Sequence, residues 1–190
     1  MEKIKNVHET LPVSQGRLCI GIRALDMTHK DYPARVLLRT LLGGSGVAKL
    51  FMNVREKMSL CYSCYATLEG MKGIMMIYAG IDPENKEKAL EAIFEQIESI
   101  KRGEVSDFEL EAAKSELANT YREIYDSPAS LESWFIGRRL SGLDLTPKDF
   151  SDSLMAVSRE DVVKCADYLL TDTVYFLEGT EPAMDDDDGE

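Results

Sequence analysis

Cys61 and Cys64, in Cys61-Tyr62-Ser63-Cys64, have the spacing of a thiol redox pair or of half a zinc site. No second pair of that kind exists among the four cysteines, Cys19, Cys61, Cys64 and Cys165. The segment reads as a strand, on which residues three apart point to opposite faces, so core thiols are the expectation. The two histidines, His8 and His29, lie far apart in sequence. Neither is followed at helical spacing by the His or Glu of a catalytic zinc site, so both read as surface histidines. No serine sits in a Gly-x-Ser-x-Gly elbow near a histidine base. Gly43-Gly44-Ser45-Gly46 opens a helix, where free amides can hold an anion. It lacks the Gly-Lys-Ser/Thr ending of a phosphate loop and lies between helices, which makes it a helix connection.

The elements that must position any site follow from hydrophobic periodicity. Residues 17–23 alternate, with Leu18, Ile20 and Ile22 on one face, as in a half-buried strand. Pro33 opens a helix carrying Val36, Leu37, Leu41 and Leu42, stopped by Gly43-Gly44. Val47, Leu50, Phe51, Val54 and Met58 form the stripe of a second helix, with Arg55 on its border. Residues 60–68 and 73–81 read as an antiparallel hairpin around Glu69-Gly70-Met71-Lys72. Asp82-Pro83 caps the next helix and Gly103 closes it. Ser106 with Glu109, Ser127-Pro128, Thr146-Pro147 and Ser158 with Asp161 start four more helices, and residues 173–177 form a last strand. This order predicts an α+β fold: an antiparallel-dominated sheet with helices packed on one face. A subdomain break would fall near Gly142.

Charge removes several function classes. Asp and Glu number 34 against 22 for Lys and Arg, a net charge of −12, which repels nucleic acid and anionic lipid surfaces. Residues 181–190, with Asp185-Asp186-Asp187-Asp188 and Glu190, read as an acidic, disordered tail. No window approaches the ~20 apolar residues of a membrane span, and the first residues lack a signal sequence, so a cytoplasmic location is expected. A chain of 190 residues buries about 70% of its unfolded surface and needs neither disulfide nor structural metal. Residues 1–13 read as a linker or arm and residues 14–180 as one domain.

The segment Leu50-Phe51-Met52-Asn53-Val54-Arg55-Glu56-Lys57-Met58-Ser59-Leu60-Cys61-Tyr62 carries the most specific pattern. A Gly-rich turn, a Leu-Phe helix, Val-Arg-Glu, a short turn and Leu-x-Tyr occur in that order. It resembles the insulinase/pitrilysin family of inverted-motif zinc peptidases, in the half that does not carry zinc. Val13-Ser14-Gln15-Gly16-Arg17-Leu18, the hairpin, and Asp172-Thr173-Val174-Tyr175-Phe176-Leu177 extend the likeness over residues 13–179, closest to a bacterial processing-protease branch. Ser59 stands where that family commonly has Gly.

The resemblance implies a two-half clamshell, with one half holding zinc through His-x-x-Glu-His and this half presenting an Arg and a Tyr to a peptide. By carry-over, Tyr62 is the catalytic candidate, donating its hydroxyl toward the scissile carbonyl, and Arg55 binds a neighbouring carbonyl. An Arg at the edge of a buried stripe and a Tyr at the start of the next strand can converge across a tight turn. Without such a role, Arg55 would pair with Glu56 or Glu69 and Tyr62 would pack on the sheet. Zinc is expected in the complete enzyme and not in this chain. The expected partners are a peptide substrate and a zinc-bearing half, in the same polypeptide or in another chain, with a homodimer through the sheet edge also open. The alternative is a catalytically inactive family member acting as an assembly or peptide-binding subunit.

Overall fold

The computed structural model describes residues 3–180; the acidic tail expected at 181–190 lies outside the described residues. Five strands form one sheet in the order β1-β5-β2-β4-β3. They are β1 (Lys5–Leu11), β2 (Gly16–Arg23), β3 (Ser63–Glu69), β4 (Ile74–Ile81) and β5 (Leu170–Gly179). All neighbouring pairs are antiparallel except β1 and β5. Among the described residues six α-helices accompany the sheet: α1 (Tyr32–Gly43), α2 (Lys86–Lys101), α3 (Asp107–Glu123), α4 (Pro128–Leu140), α5 (Pro147–Met155) and α6 (Arg159–Ala166). The architecture is α+β, as the order of elements implied.

Alternation decides which face is covered. Leu18, Ile20 and Ile22 of β2, and Met75, Ile77 and Ala79 of β4, are buried against Val36, Leu37 and Leu41 of α1 and Ile93 and Ile97 of α2. Each such fully buried aliphatic side chain contributes about 1.5–3 kcal/mol relative to exposure. Cys19, Gly21, Met76 and Tyr78, on the opposite face, stay partly accessible. Helix starts follow the capping residues. Ser106 with Glu109, Thr146 with Asp149 and Ser158 with Asp161 form complete capping boxes, and Ser127 accepts from the Ser130 amide. The core runs uninterrupted past Gly142 to Phe150 and Leu154, and the Trp134 indole donates to Leu145 O at 2.8 Å across that turn.

The expected arm is corrected in one respect: residues 5–11 within it are strand β1, paired in parallel with β5 from Lys5 opposite Thr173 to Leu11 opposite Gly179. Only Val7 in it is even partly covered. An edge strand solvated on both faces has no apolar alternation to betray it.

The second expected helix is also modified. Residues 50–57 wind as a π-helix (Leu50–Lys57), in which the Met58 amide donates to Asn53 O at 3.1 Å, five residues back. Its buried residues are Leu50 and Val54, two members of the apolar stripe. Lys49, at its start, pairs with Glu109 of α3 at 3.0 Å, and Asn53 donates to Gln96 of α2 at 2.7 Å. Both bonds hold the π-helix against the helical layer, leaving its outer face to the cleft described next.

Candidate functional site

A cleft of about 380 Å³ opens between the π-helix and the start of the hairpin, lined by Arg55, Glu56, Ser59, Leu60, Cys61, Tyr62 and Asp82. Each side chain has a local reason to be there. Arg55 sits one π-turn from Phe51, and its guanidinium lies 4.7 Å from that ring's centre. A cation over an aromatic face is attracted by the ring, which helps to hold an exposed guanidinium in place. The Glu56 carboxylate is 3.7 Å from Arg55 Nε.

The chain then reverses through Ser59, whose φ of 51° is left-handed. That conformation strains any residue with a Cβ, which accounts for glycine at the corresponding turn of the resembling family. The reversal is secured by the Ser59 amide on Arg55 O at 3.0 Å and the Leu60 amide on Val54 O at 3.1 Å. It delivers Tyr62 to the strand entry, where the Tyr62 amide donates to Gly80 O at 2.8 Å. The phenol points outward, and Tyr62 is 54% exposed.

Its hydroxyl donates to Asp82 Oδ1 at 2.8 Å. Accepting that bond, and adding its own negative charge, Asp82 raises the phenol above its ordinary pKa. The neutral O–H donor is therefore the form present near neutral pH.

The structure thus brings Arg55 and Tyr62 to one cleft, and Glu56 lies beside Arg55. Glu69 is not among the lining residues. Asp82 is the member that sequence reasoning missed, because Asp-Pro before a helix reads as a cap. Counting the hairpin register back from its turn, where Glu69 faces Ile74 and Ser63 faces Gly80, places residue 62 opposite residue 81 and beside Asp82. The turn expected over residues 69–72 pairs residue 68 with residue 73 and so puts residue 62 opposite residue 79, two short of this register.

The other candidates resolve differently. Cys61 and Cys64 are both buried, the core thiols expected, although they do not face opposite ways as strand alternation implied. Strand alternation begins only at Ser63, so it does not govern Cys61. The Cys64 thiol hydrogen-bonds to the Cys61 sulfur; this bond, with burial, pushes Cys64 up, and the same bond draws Cys61 down. Gly43, at the end of α1, packs on β3: a Cβ there would lie 2.7 Å from the Ala66 amide nitrogen. The glycine turn is thus a close helix-to-strand contact. His8, on β1, shares a 2.9 Å hydrogen bond with Glu178, and the His29 ring packs near Tyr168. Neither lines the cleft. Among the described residues no three His, Cys, Asp or Glu side chains are grouped so as to hold a metal ion, so zinc does not fit the residues present here. No described helix is long and apolar enough to cross a membrane.

Comparison with known proteins identifies the family. Residues 2–117 match the family model described as the Peptidase M16 inactive domain. The chain is similar to "Probable inactive metalloprotease YmfF" of Bacillus subtilis, 35% identical over 94% of this chain and 42% of that protein. It is also similar to "Uncharacterized zinc protease YmxG" of the same organism, 30% identical over 90% of this chain and 42% of that protein. Among solved structures, a conserved protein from Enterococcus faecalis superposes with a TM-score of 0.89 at 27% identity, over 95% of this chain and 43% of that one. The chain therefore spans about two fifths of the length of the curated relatives it matches.

Proposed function

Since the chain belongs to the Peptidase M16 inactive-domain family, we propose that it is the substrate-binding half of a zinc-dependent metalloendopeptidase, with Arg55 and Tyr62 holding the peptide. The zinc ligands of that enzyme would lie in another half, in the same polypeptide or in a partner chain. The name of YmxG, a zinc protease, supports an active whole.

The observation that carries this reading is the convergence of Arg55, Tyr62 and Asp82 on one cleft at the mouth of an edge strand. A peptide carbonyl that is attacked becomes an oxyanion, and a preplaced O–H donor stabilises that charge more than it stabilises the ground state. Tyr62 is such a donor, exposed and held neutral. Arg55 offers a fixed guanidinium to a second carbonyl of the same peptide, which orients the chain across the cleft. Neither group needs to move a proton; their work is binding and charge stabilisation.

The test is Tyr62→Phe and Arg55→Ala in the full-length protein, assembled with its zinc-bearing half. Cleavage of an unstructured peptide should fall by ~10² for loss of one oxyanion donor, with folding unchanged. Normal turnover in both variants would overturn the assignment.

A second reading has its own support, the name of YmfF, a probable inactive metalloprotease at 35% identity. Here the same cleft holds peptides without cleaving them, in an assembly or peptide-binding subunit. It is distinguished by an assembled protein that holds no zinc and shows no peptidase activity whatever the state of Arg55. The cytoplasm is the location proposed for either form.

A further inference from the structure

We propose that Asp82 reads the bound peptide: its carboxylate accepts a backbone N–H of that peptide, in exchange for the Tyr62 hydroxyl it holds while the cleft is empty. The inference rests on the peptide-binding reading above and goes beyond it by assigning a third residue and the chemical feature it selects.

Asp82 first stands out by what it does not do. It occupies the N-cap position before the short turn Pro83–Asn85, with extended backbone at φ −71° and ψ 139°. An aspartate there ordinarily accepts from an amide of the first turn. Asp82 makes no such bond; its carboxylate is turned to the cleft and meets Tyr62 at 2.8 Å.

Proton counting supplies the next step. A phenol has one O–H. While that O–H is donated to Asp82, Tyr62 cannot donate it to a peptide carbonyl, and once it turns to the carbonyl, Asp82 has lost its donor. In the open cleft water fills that place. A peptide lying across the cleft expels the water, and an acceptor left without a donor is costly. Arg55, over Phe51 and beside Glu56, is the donor to the peptide's second carbonyl in the reading above and is not the one that replaces Tyr62 on Asp82.

The peptide itself carries what is missing. Each backbone unit has a carbonyl acceptor and an N–H donor. Tyr62 and Asp82 together form the complementary couple, an O–H for the carbonyl and a carboxylate for a nearby N–H. The ligand class is therefore an extended peptide with a secondary amide at that position. Proline or an N-methylated residue there lacks the donor and is disfavoured.

The experiment measures binding of a fluorescein-labelled, unstructured casein peptide to the full-length protein, and of the same peptide N-methylated at each backbone amide in turn. The expected result is one position at which methylation weakens binding about tenfold, the equivalent of one lost hydrogen bond. In Asp82→Ala the same methylation should change affinity by less than about twofold. Asp82→Asn, which keeps an acceptor oxygen, should retain part of the penalty. Tyr62→Phe should weaken binding overall and keep it. Since Asp82 caps no helix with its side chain, its replacement removes no helix start. A penalty undiminished in Asp82→Ala, or no sensitive position in a protein that binds the peptide, overturns the inference alone. Absence of peptide binding overturns the peptide-binding reading and this inference together.

Discussion

Beside Tyr62 an arginine rests on one ring in the open; beside Tyr32 another arginine is walled in by three. Arg138, on α4, has its guanidinium 4.1 Å from the centre of the Trp134 ring, 4.7 Å from Phe150 and 5.7 Å from Tyr32, and is 6% exposed. Arg35 lies near the same Tyr32 ring, fully buried, its guanidinium nitrogens without a hydrogen-bond partner among the described residues. Desolvation lowers the pKa of both arginines and burial raises that of Tyr32. At Tyr62 the corresponding shift comes first from a carboxylate, with burial the smallest cause. The residue types match and the surroundings differ. Around Tyr32 the rings pack on one another and on Arg138, joining α4 and α5 to α1, and the unpaired N–H groups of Arg35 are buried out of a ligand's reach. Around Tyr62 the arginine is held by a single ring and the neighbouring Glu56, and the phenol by one exchangeable bond. A pattern of residue types therefore does not identify a binding site; the accessibility of its donors does.

Four tests bear on that contrast. The largest effect belongs to Phe150, which is 2% exposed and packs against Tyr32, Tyr121 and Trp134. Phe150→Ala should cost about 3–5 kcal/mol of stability, read from urea unfolding. A loss below about 1 kcal/mol would mean the buried cluster is not what joins the helices.

Next come the cleft substitutions, for which the expected pattern is inverted. Arg55→Ala and Tyr62→Phe should leave unfolding within about 0.5 kcal/mol of the parent, while peptide cleavage falls ~10². Equal losses of stability and activity would erase the distinction between the two regions.

The third test is alkaline titration. Burial, the largest cause, pushes the Tyr121 phenol up to about 12. Its folded pKa thus lies above the unfolded value of about 10, so its contribution is complete below pH ~10 and is lost as pH rises through the folded value. The stability lost over that window should be on the order of 2 kcal/mol greater in the parent than in Tyr121→Phe, measured by urea midpoints at each pH.

The smallest effect is at the reversal. Ser59→Gly relieves the left-handed backbone but loosens the unfolded chain, for a net gain of about 0.5 kcal/mol, whereas Ser59→Val should lose about 1 kcal/mol. A thermal melt of each variant checks the sign.

What could be read from the sequence was what short-range rules govern. Ser106, Thr146 and Ser158 start helices because a side chain and an amide three residues on satisfy one another, a bond the sequence displays directly. The alternation of Leu18, Ile20 and Ile22 revealed β2 because one face is buried. Strand β1 offered no such contrast, since Lys5, His8 and Glu9 sit on an edge and meet water. The π-helix read as an ordinary helix because Leu50 and Val54 fit either winding. Arg55 and Tyr62 were found through a resemblance and a plausible turn, whereas Asp82 was hidden behind a sequence pattern that usually means a cap. Its bond to Tyr62 depends on hairpin register, which no local rule around Asp82 records.

The parallel contact of β1 with β5 has a mechanical side. Lys5 lies at the rung facing Thr173 and Gly179 at the rung facing Leu11, so the two ends of the described chain leave this pair at opposite ends. Tension applied through those ends pulls β1 backward along β5 and loads the whole ladder in shear. Its backbone rungs must then yield together, where a hairpin pulled from one end would open one rung at a time. A strand with almost no buried side chain can in this way resist stretching along the chain while contributing little to stability at rest.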